Sequence, residues 1–263
     1  MDENNPKPLE RYRPYLRPSM ALLTIYDDGV SEGEVVRIRR DCTVIGRDRG
    51  HIRIPHDPGI SSPHVSITRS VKDEQSHWRL KDLKSETGLW VRVRKTELRD
   101  GVEFMAGRCK FRFKSATTSP ESNSSLEQRI LGGSIPGNTQ FDRSVTSHVG
   151  SAYASIESVS AIPLREHTPR LHLIDGEYWI GRDPACAIPF VNDTFLATNH
   201  VRIHLENKKW FAEARARGTP NGMWIHVDSL NVHKSCAFQI GEQRFHLNCH
   251  LVETEHKQVN EDN

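Results

Sequence analysis

Ile45-Gly46-Arg47, then Ile60-Ser61-Ser62-Pro63-His64, then Gly88-Leu89-Trp90: the chain writes this series twice. Gly181-Arg182 opens the second version, which continues through His200 and Gly222-Met223-Trp224. Trp78, Gly107 and Phe111 likewise have downstream partners in Trp210, Gly241 and Phe245, and every offset falls between 132 and 136 positions. Chance does not hold so many matched residues, of five different types, near one spacing, so the chain contains an internal duplication of one small domain. The repeated residues are turn formers, aromatics and one arginine, which describes a scaffold with polar loops at one end.

Outward from this frame, short runs alternate apolar and polar residues. In the first repeat they are Leu22 to Tyr26, Val35 to Ile38, Thr43 to Gly46, His64 to Thr68, His77 to Leu80, Leu89 to Val93 and Lys110 to Phe113. The second repeat has Leu171 to Ile174, Glu177 to Ile180, His200 to Leu205, Lys209 to Ala212, Met223 to Val227 and Arg244 to Leu247. A period of two is that of a half-buried strand. Clusters such as Asp27-Asp28-Gly29 and His56-Asp57-Pro58-Gly59 separate the runs with turn chemistry. No strongly amphipathic helix is apparent. The expected fold class is all-β, two sandwiches of antiparallel twisted sheets joined by a flexible linker.

Composition sets the boundaries. Residues 115–166 are rich in Ser, Thr and Gly with few large apolar side chains, and so bury too little to offset their ordering entropy. They are expected to be the linker between a first domain at 20–114 and a second at 167–252, with polar tails at 1–19 and 253–263. A length of 263 residues suits two modest cores. No apolar run approaches the roughly 20 residues that span a bilayer, and residues 1–19 lack the apolar segment of a secretory signal, so a cytoplasmic protein without membrane contact is expected. Five cysteines without a C-x-x-C argue against a disulfide framework or a thiolate zinc site. A net charge of +2 gives no sign of a nucleic-acid partner.

Three motifs in order now become recognisable. Ile45-Gly46-Arg47, Ile60-Ser61-Ser62-Pro63-His64 and Asp82-Leu83-Lys84-Ser85-Glu86-Thr87-Gly88-Leu89-Trp90-Val91 together resemble the forkhead-associated (FHA) domain, whose pattern is Gly-Arg, Ser-Arg-x-His and Ser-x-Asn-Gly-Thr. The resemblance implies a β-sandwich whose loops at one end bind a phosphothreonine-containing segment. The chemistry of the residues agrees. A phosphate monoester carries about −1.5 to −2 charges at neutral pH, so its receptor needs a fixed cation and neutral donors. Arg47 offers a planar fork, which a lysine cannot. Ser61 and Ser62 supply hydroxyls, Ser62 standing where the family has arginine, and Thr87 stands where the family has the asparagine that grips the peptide main chain. Gly46, His64 and Gly88 are expected to be architectural, His64 tying loops together and Gly88 serving a turn of positive φ.

The second repeat departs further. Gly181, Arg182, His200 and Gly222 are kept, but Ala197 replaces the family's serine and Met223 its threonine. Arg182, Thr198 and Asn221 are the candidate ligand contacts there. One hydrogen bond to a charged group is worth about 1.5–3 kcal/mol, or one to two orders of magnitude in affinity, which makes the first domain the stronger receptor. In the linker, Thr117, Thr118 and Thr139 are candidate phosphorylation sites. Thr139 is followed three residues later by Asp142, so self-binding through the linker is one option.

Three functions compete. The first is a phosphothreonine-reading adaptor whose partners are phosphorylated proteins, including a Ser/Thr kinase or its substrates. The second is a scaffold or self-associating protein that ignores phosphate, favoured by Ala197 and Met223. The third is a metal-dependent enzyme, suggested by fourteen histidines and by groups such as His51, His56, Asp57 and His64 or His246, Cys249 and His250. That scatter lacks the ligand spacing of known metal sites. No P-loop, dinucleotide fingerprint, nucleophile elbow or kinase motif occurs, so the expected protein is not an enzyme and needs no cofactor or metal.

Overall fold

The computed structural model describes residues 20–26, 33–72, 75–115, 154–159, 170–174, 176–215 and 221–249. The described residues form strands and turns, and no helix occurs among them. The first half contributes β1 (Ala21–Tyr26), β2 (Glu34–Ile38), β3 (Cys42–Gly46), β4 (Ile52–Arg53), β5 (Val65–Lys72), β6 (Gln75–Asp82), β7 (Leu89–Val93), β8 (Lys95–Leu98), β9 (Glu103–Ala106) and β10 (Cys109–Ser115). The second half repeats them in order as β11 (Ala154–Ser158), β12 (Arg170–Leu173), β13 (Glu177–Gly181), β14 (Ile188–Pro189), β15 (Val201–Glu206), β16 (Lys209–Ala214), β17 (Met223–Val227), β18 (Ser229–Val232), β19 (Ser235–Ile240) and β20 (Gln243–Asn248). Strand n thus corresponds to strand n+10. Strict alternation of buried and partly exposed side chains in β1, β11 and β20 is the burial pattern that the period of two requires.

The chain divides into two compact units, but not at the middle. One unit comprises Met1–Leu89 with Asp228–Asn263, and the other comprises Trp90–Val227. In unit 1, β2, β1, β20 and β19 lie side by side in antiparallel pairs. Its second sheet runs β18, β6, β5, β3, β4, with β3 and β4 parallel. Unit 2 repeats the plan: β12, β11, β10, β9 and β17 in one sheet, and β14, β13, β15, β16 and β8 in the other.

Each sandwich is therefore closed by strands from the opposite repeat. Sequence order assigns residues 90–114 to the first domain and 228–252 to the second, whereas pairing places β8, β9 and β10 in unit 2 and β18, β19 and β20 in unit 1. Two features permit this. Single residues, Arg94 and Asp228, join β7 to β8 and β17 to β18. A tight hairpin needs at least two, so neither strand can fold straight back on its predecessor. The two closing hairpins are also near copies. Phe104 and Phe111 pair across β9 and β10 with ring centroids 5.2 Å apart, and Phe238 and Phe245 pair across β19 and β20 at 4.8 Å. All four rings are buried, each worth about 1.5–3 kcal/mol, so either hairpin offers nearly the same apolar face to a sandwich.

The core of unit 2 joins Phe104, Phe111 and Ile156 from one sheet to Ile180, Val201 and Ile203 from the other. Their counterparts in unit 1, Phe238, Phe245 and Leu23 with Ile45, Val65 and Ile67, are equally buried. Ile156 belongs to β11, which lies inside the stretch read from composition as linker. Its three inward residues, Ala154, Ile156 and Ser158, include a single large apolar side chain, so a composition average over 115–166 hides the strand. Thr117, Thr118 and Thr139 lie outside the described residues. The five cysteines are free thiols. Burial pushes Cys236 and Cys249 up to about 12, which keeps both neutral at physiological pH.

Candidate functional site

In unit 1 the residues singled out by the motifs converge on one loop, residues 57–62 between β4 and β5. The Arg47 main-chain N–H donates to the Ser61 carbonyl at 3.1 Å, which fixes the arginine just past the end of β3. Its guanidinium donates through Nε to Asp48 Oδ2 at 3.2 Å and through Nη1 to the Pro58 carbonyl at 3.3 Å. With 41% of the side chain exposed, the fork is held in place and still reachable from solvent. Gly46 precedes it because nothing larger fits: an added Cβ would stand 2.4 Å from the Arg49 carbonyl oxygen and 3.0 Å from Pro63 Cα.

The hydroxyls are arranged by the same loop. Ser62 Oγ accepts the N–H groups of Asp48 at 3.0 Å and Arg49 at 2.7 Å. A hydroxyl has two acceptor positions and one proton, so Ser62 is left to act as a donor, the role a phosphate oxygen needs. Ser61 Oγ accepts the Glu86 N–H at 3.0 Å, tying in the β6–β7 loop. Thr87 Oγ1 donates its proton to the Gly59 carbonyl at 2.8 Å. That donor is committed to the loop rather than to a peptide carbonyl.

His64 is fully buried beneath the loop. Its Nδ1 accepts the Ser61 N–H at 2.9 Å, so Nε2 carries the proton and donates to the Gly88 carbonyl at 3.2 Å. Burial holds its pKa below the ordinary imidazole value, against the opposing pull of the Gly88 carbonyl. Gly88 has a φ of 77°, the left-handed conformation that glycine adopts without strain. His51 and Asp57, grouped in sequence as metal-site candidates, are also committed to main-chain partners: His51 Nδ1 accepts the Val44 N–H, and Asp57 accepts those of Gly59, Glu242 and Gln243.

Unit 2 rebuilds the frame with different chemistry at its rim. His200 is fully buried, accepts the Ala197 N–H at 3.0 Å and donates to the Gly222 carbonyl at 2.8 Å, and burial again lowers its pKa. The Arg182 N–H donates to the Ala197 carbonyl at 3.0 Å, matching Arg47 and Ser61. Gly181 is enforced more tightly than Gly46, since an added Cβ would stand 2.1 Å from the Thr198 carbonyl oxygen. The Arg182 side chain is exposed, and none of the ion pairs among the described residues includes it. Asp183 N–H goes to the Thr198 carbonyl rather than to its hydroxyl, so Thr198 presents its side chain differently from Ser62. Asn221 Nδ2 donates to the Phe195 carbonyl at 2.9 Å, the same bracing that Thr87 gives Gly59.

One pair of site-bracing residues falls outside the motifs. Asp57 is 5% exposed, and its carboxylate takes the N–H of Glu242 at 2.7 Å and of Gln243 at 3.2 Å, at the β19–β20 turn. Asp193 does the same for Arg108 N–H at 3.0 Å in the β9–β10 turn, and takes the Phe195 N–H at 2.9 Å. The glycines of these turns, Gly107 and Gly241, have φ of 58° and 57°, and a Cβ on either would stand 2.5 Å from an aspartate oxygen. The signal was present in the repeat, because Asp57 and Asp193 are 136 positions apart like His64 and His200.

These features define a class: β-sandwiches that carry an arginine and hydroxyls on a braced loop at one end. Residues 43–107 match the family model of the FHA domain. The match begins in β3 and runs past Leu89 into β8 and β9, so it follows sequence order across the point where the chain leaves unit 1. No curated protein matches the chain. Among solved structures, full-length yeast Pml1p is similar at 25% identity over 32% of this chain and 69% of its own, with a TM-score of 0.26. A second structure of the yeast Pml1 splicing factor shares 23% identity over 34% of this chain and 72% of that one, with a TM-score of 0.27. The yeast Dun1 FHA domain, determined with a doubly phosphorylated peptide derived from Rad53, shares 21% over 52% of this chain and 98% of its own, with a TM-score of 0.23.

Proposed function

We propose that the protein is a non-catalytic adaptor that binds phosphothreonine-containing protein segments, chiefly through the loop end of unit 1. The observation that carries this reading is the state of the Arg47–Ser61–Ser62 group. Two main-chain N–H groups fill the acceptor positions of Ser62 and leave its proton to donate, beside a braced and exposed guanidinium. An assembly of donors around a fixed cation suits a dianion with three acceptor oxygens and offers little to a neutral hydroxyl. The FHA match over residues 43–107 supports the same ligand class. The partners are then Ser/Thr-kinase targets or the kinase itself, in a cytoplasmic setting. Unit 2 is a second, weaker FHA-type receptor working through Arg182 and Thr198, and Ala197 is the reason for its lower rank.

Ala197 also favours a second reading, in which the protein joins partners without regard to phosphate. Peptide libraries carrying phosphothreonine, phosphoserine or unmodified threonine, offered to wild type, Arg47→Ala and Arg182→Ala, separate the two. Under the adaptor reading capture requires phosphothreonine, and Arg47→Ala weakens it about ten- to a hundredfold, the value of a hydrogen bond to a charged group. Equal capture of unmodified peptides by wild type and Arg47→Ala would replace the adaptor with the scaffold.

A further inference from the structure

The exchange of closing hairpins decides which side chain stands at the rim of each site. Arg108 belongs to the first repeat but sits in unit 2, where its N–H is held by Asp193 and its guanidinium lies 4.9 Å from the centre of the Phe195 ring. Phe195 is 39% exposed, unusual for a large aromatic, and its carbonyl is the one braced by Asn221. Stacking on the ring removes water from one face of the guanidinium and leaves its N–H edges outward. The Arg108 side chain is exposed, and none of the ion pairs among the described residues includes it. The matching position in unit 1 is Glu242, exposed, delivered from the second repeat and held through its N–H by Asp57. There Gly59 replaces Phe195, so no ring is offered.

We propose that Arg108 on Phe195 is a flanking-residue subsite of unit 2 that selects an acidic side chain near the phosphothreonine, and that Glu242 gives unit 1 the opposite preference, for a basic one. This rests on the phosphopeptide reading of the two loop ends. Phe195 is three residues from Thr198, a span of at most about 10 Å, and an extended peptide covers that distance in about three residues. In the unexchanged pairing Arg108 would meet Asp57 and Glu242 would meet Asp193, so the two preferences would be interchanged. The two units then read different flanking charge with one common phosphate chemistry.

The test uses the full chain and fluorescent phosphothreonine peptides that carry Asp or Lys at each flanking position, with one site silenced at a time. In an Arg47→Glu background, where the reversed charge repels the phosphate and leaves unit 2, the acidic peptide is expected to bind about five- to tenfold more tightly than the basic one, and Arg108→Glu should reverse the order. In an Arg182→Ala background the basic peptide should be preferred, with reversal by Glu242→Arg. Both substitutions lie at exposed side chains whose main-chain N–H makes the structural contact, so folding is not at stake, and Phe195→Ala provides a second route to the same loss. Retained phosphothreonine dependence with no effect of these substitutions would overturn the subsites and leave the adaptor standing. Absence of phosphothreonine-dependent binding by the wild-type chain would overturn the adaptor and the subsites together.

Discussion

His64 and His200 do one job in two places. Each is fully buried and joins a loop N–H to a glycine carbonyl, and each is neutral because burial lowers its pKa. The sign of the pH effect follows. The unfolded chain, with imidazoles near 6.5, binds more protons than the folded one below that pH, so folding stability rises with pH through this region and levels off above it. The unfolding midpoint should be flat between pH 7 and 8 and fall as pH drops from about 6.5 to 5. A midpoint that stayed constant or rose over that interval would contradict the neutral, buried histidines. The carboxylates held low by arginine or lysine, such as Glu213 beside Arg202, act in the same direction at lower pH. They do not cloud the histidine window.

Among elements, the turns that close each sandwich depend on one buried carboxylate. Asp57→Ala leaves the Glu242 and Gln243 N–H groups without their acceptor, and we expect it to cost about 2–4 kcal/mol in chemical denaturation, with Asp57→Asn losing less. A cost under about 0.5 kcal/mol would mean that the turn does not need this anchor. Asp193→Ala should act likewise on the other unit. The individual strands were legible in the sequence because apolar alternation is local: β1, β10 and β20 follow it. Short strands such as β4 and β14, two residues each, have no period to detect. β11 was obscured by its surroundings, although the repeat spacing from Leu23 to Ile156 marks it. At the site, the arginine, serine and histidine positions were readable as motifs. Which proton each hydroxyl spends was not, because it depends on main-chain groups brought in by folding, as Ser62 and Thr87 illustrate.

Over the whole molecule, sequence order and spatial order part company. A repeat pattern identifies what is duplicated but gives two equivalent hairpins, Phe104 with Phe111 and Phe238 with Phe245, whose buried faces are too alike to say which sandwich each closes. The choice falls to the one-residue connections at Arg94 and Asp228. Its consequence is covalent: neither half of the chain contains all the strands of either sandwich. The most direct test places a specific protease site within residues 116–153, cuts the folded protein and follows the two fragments by size-exclusion chromatography with light scattering. The fragments are predicted to travel together at the intact mass of 30.0 kDa, to keep phosphopeptide binding, and to part only in denaturant. Two folded species, each of roughly half that mass and each complete in itself, would contradict the composite sandwiches.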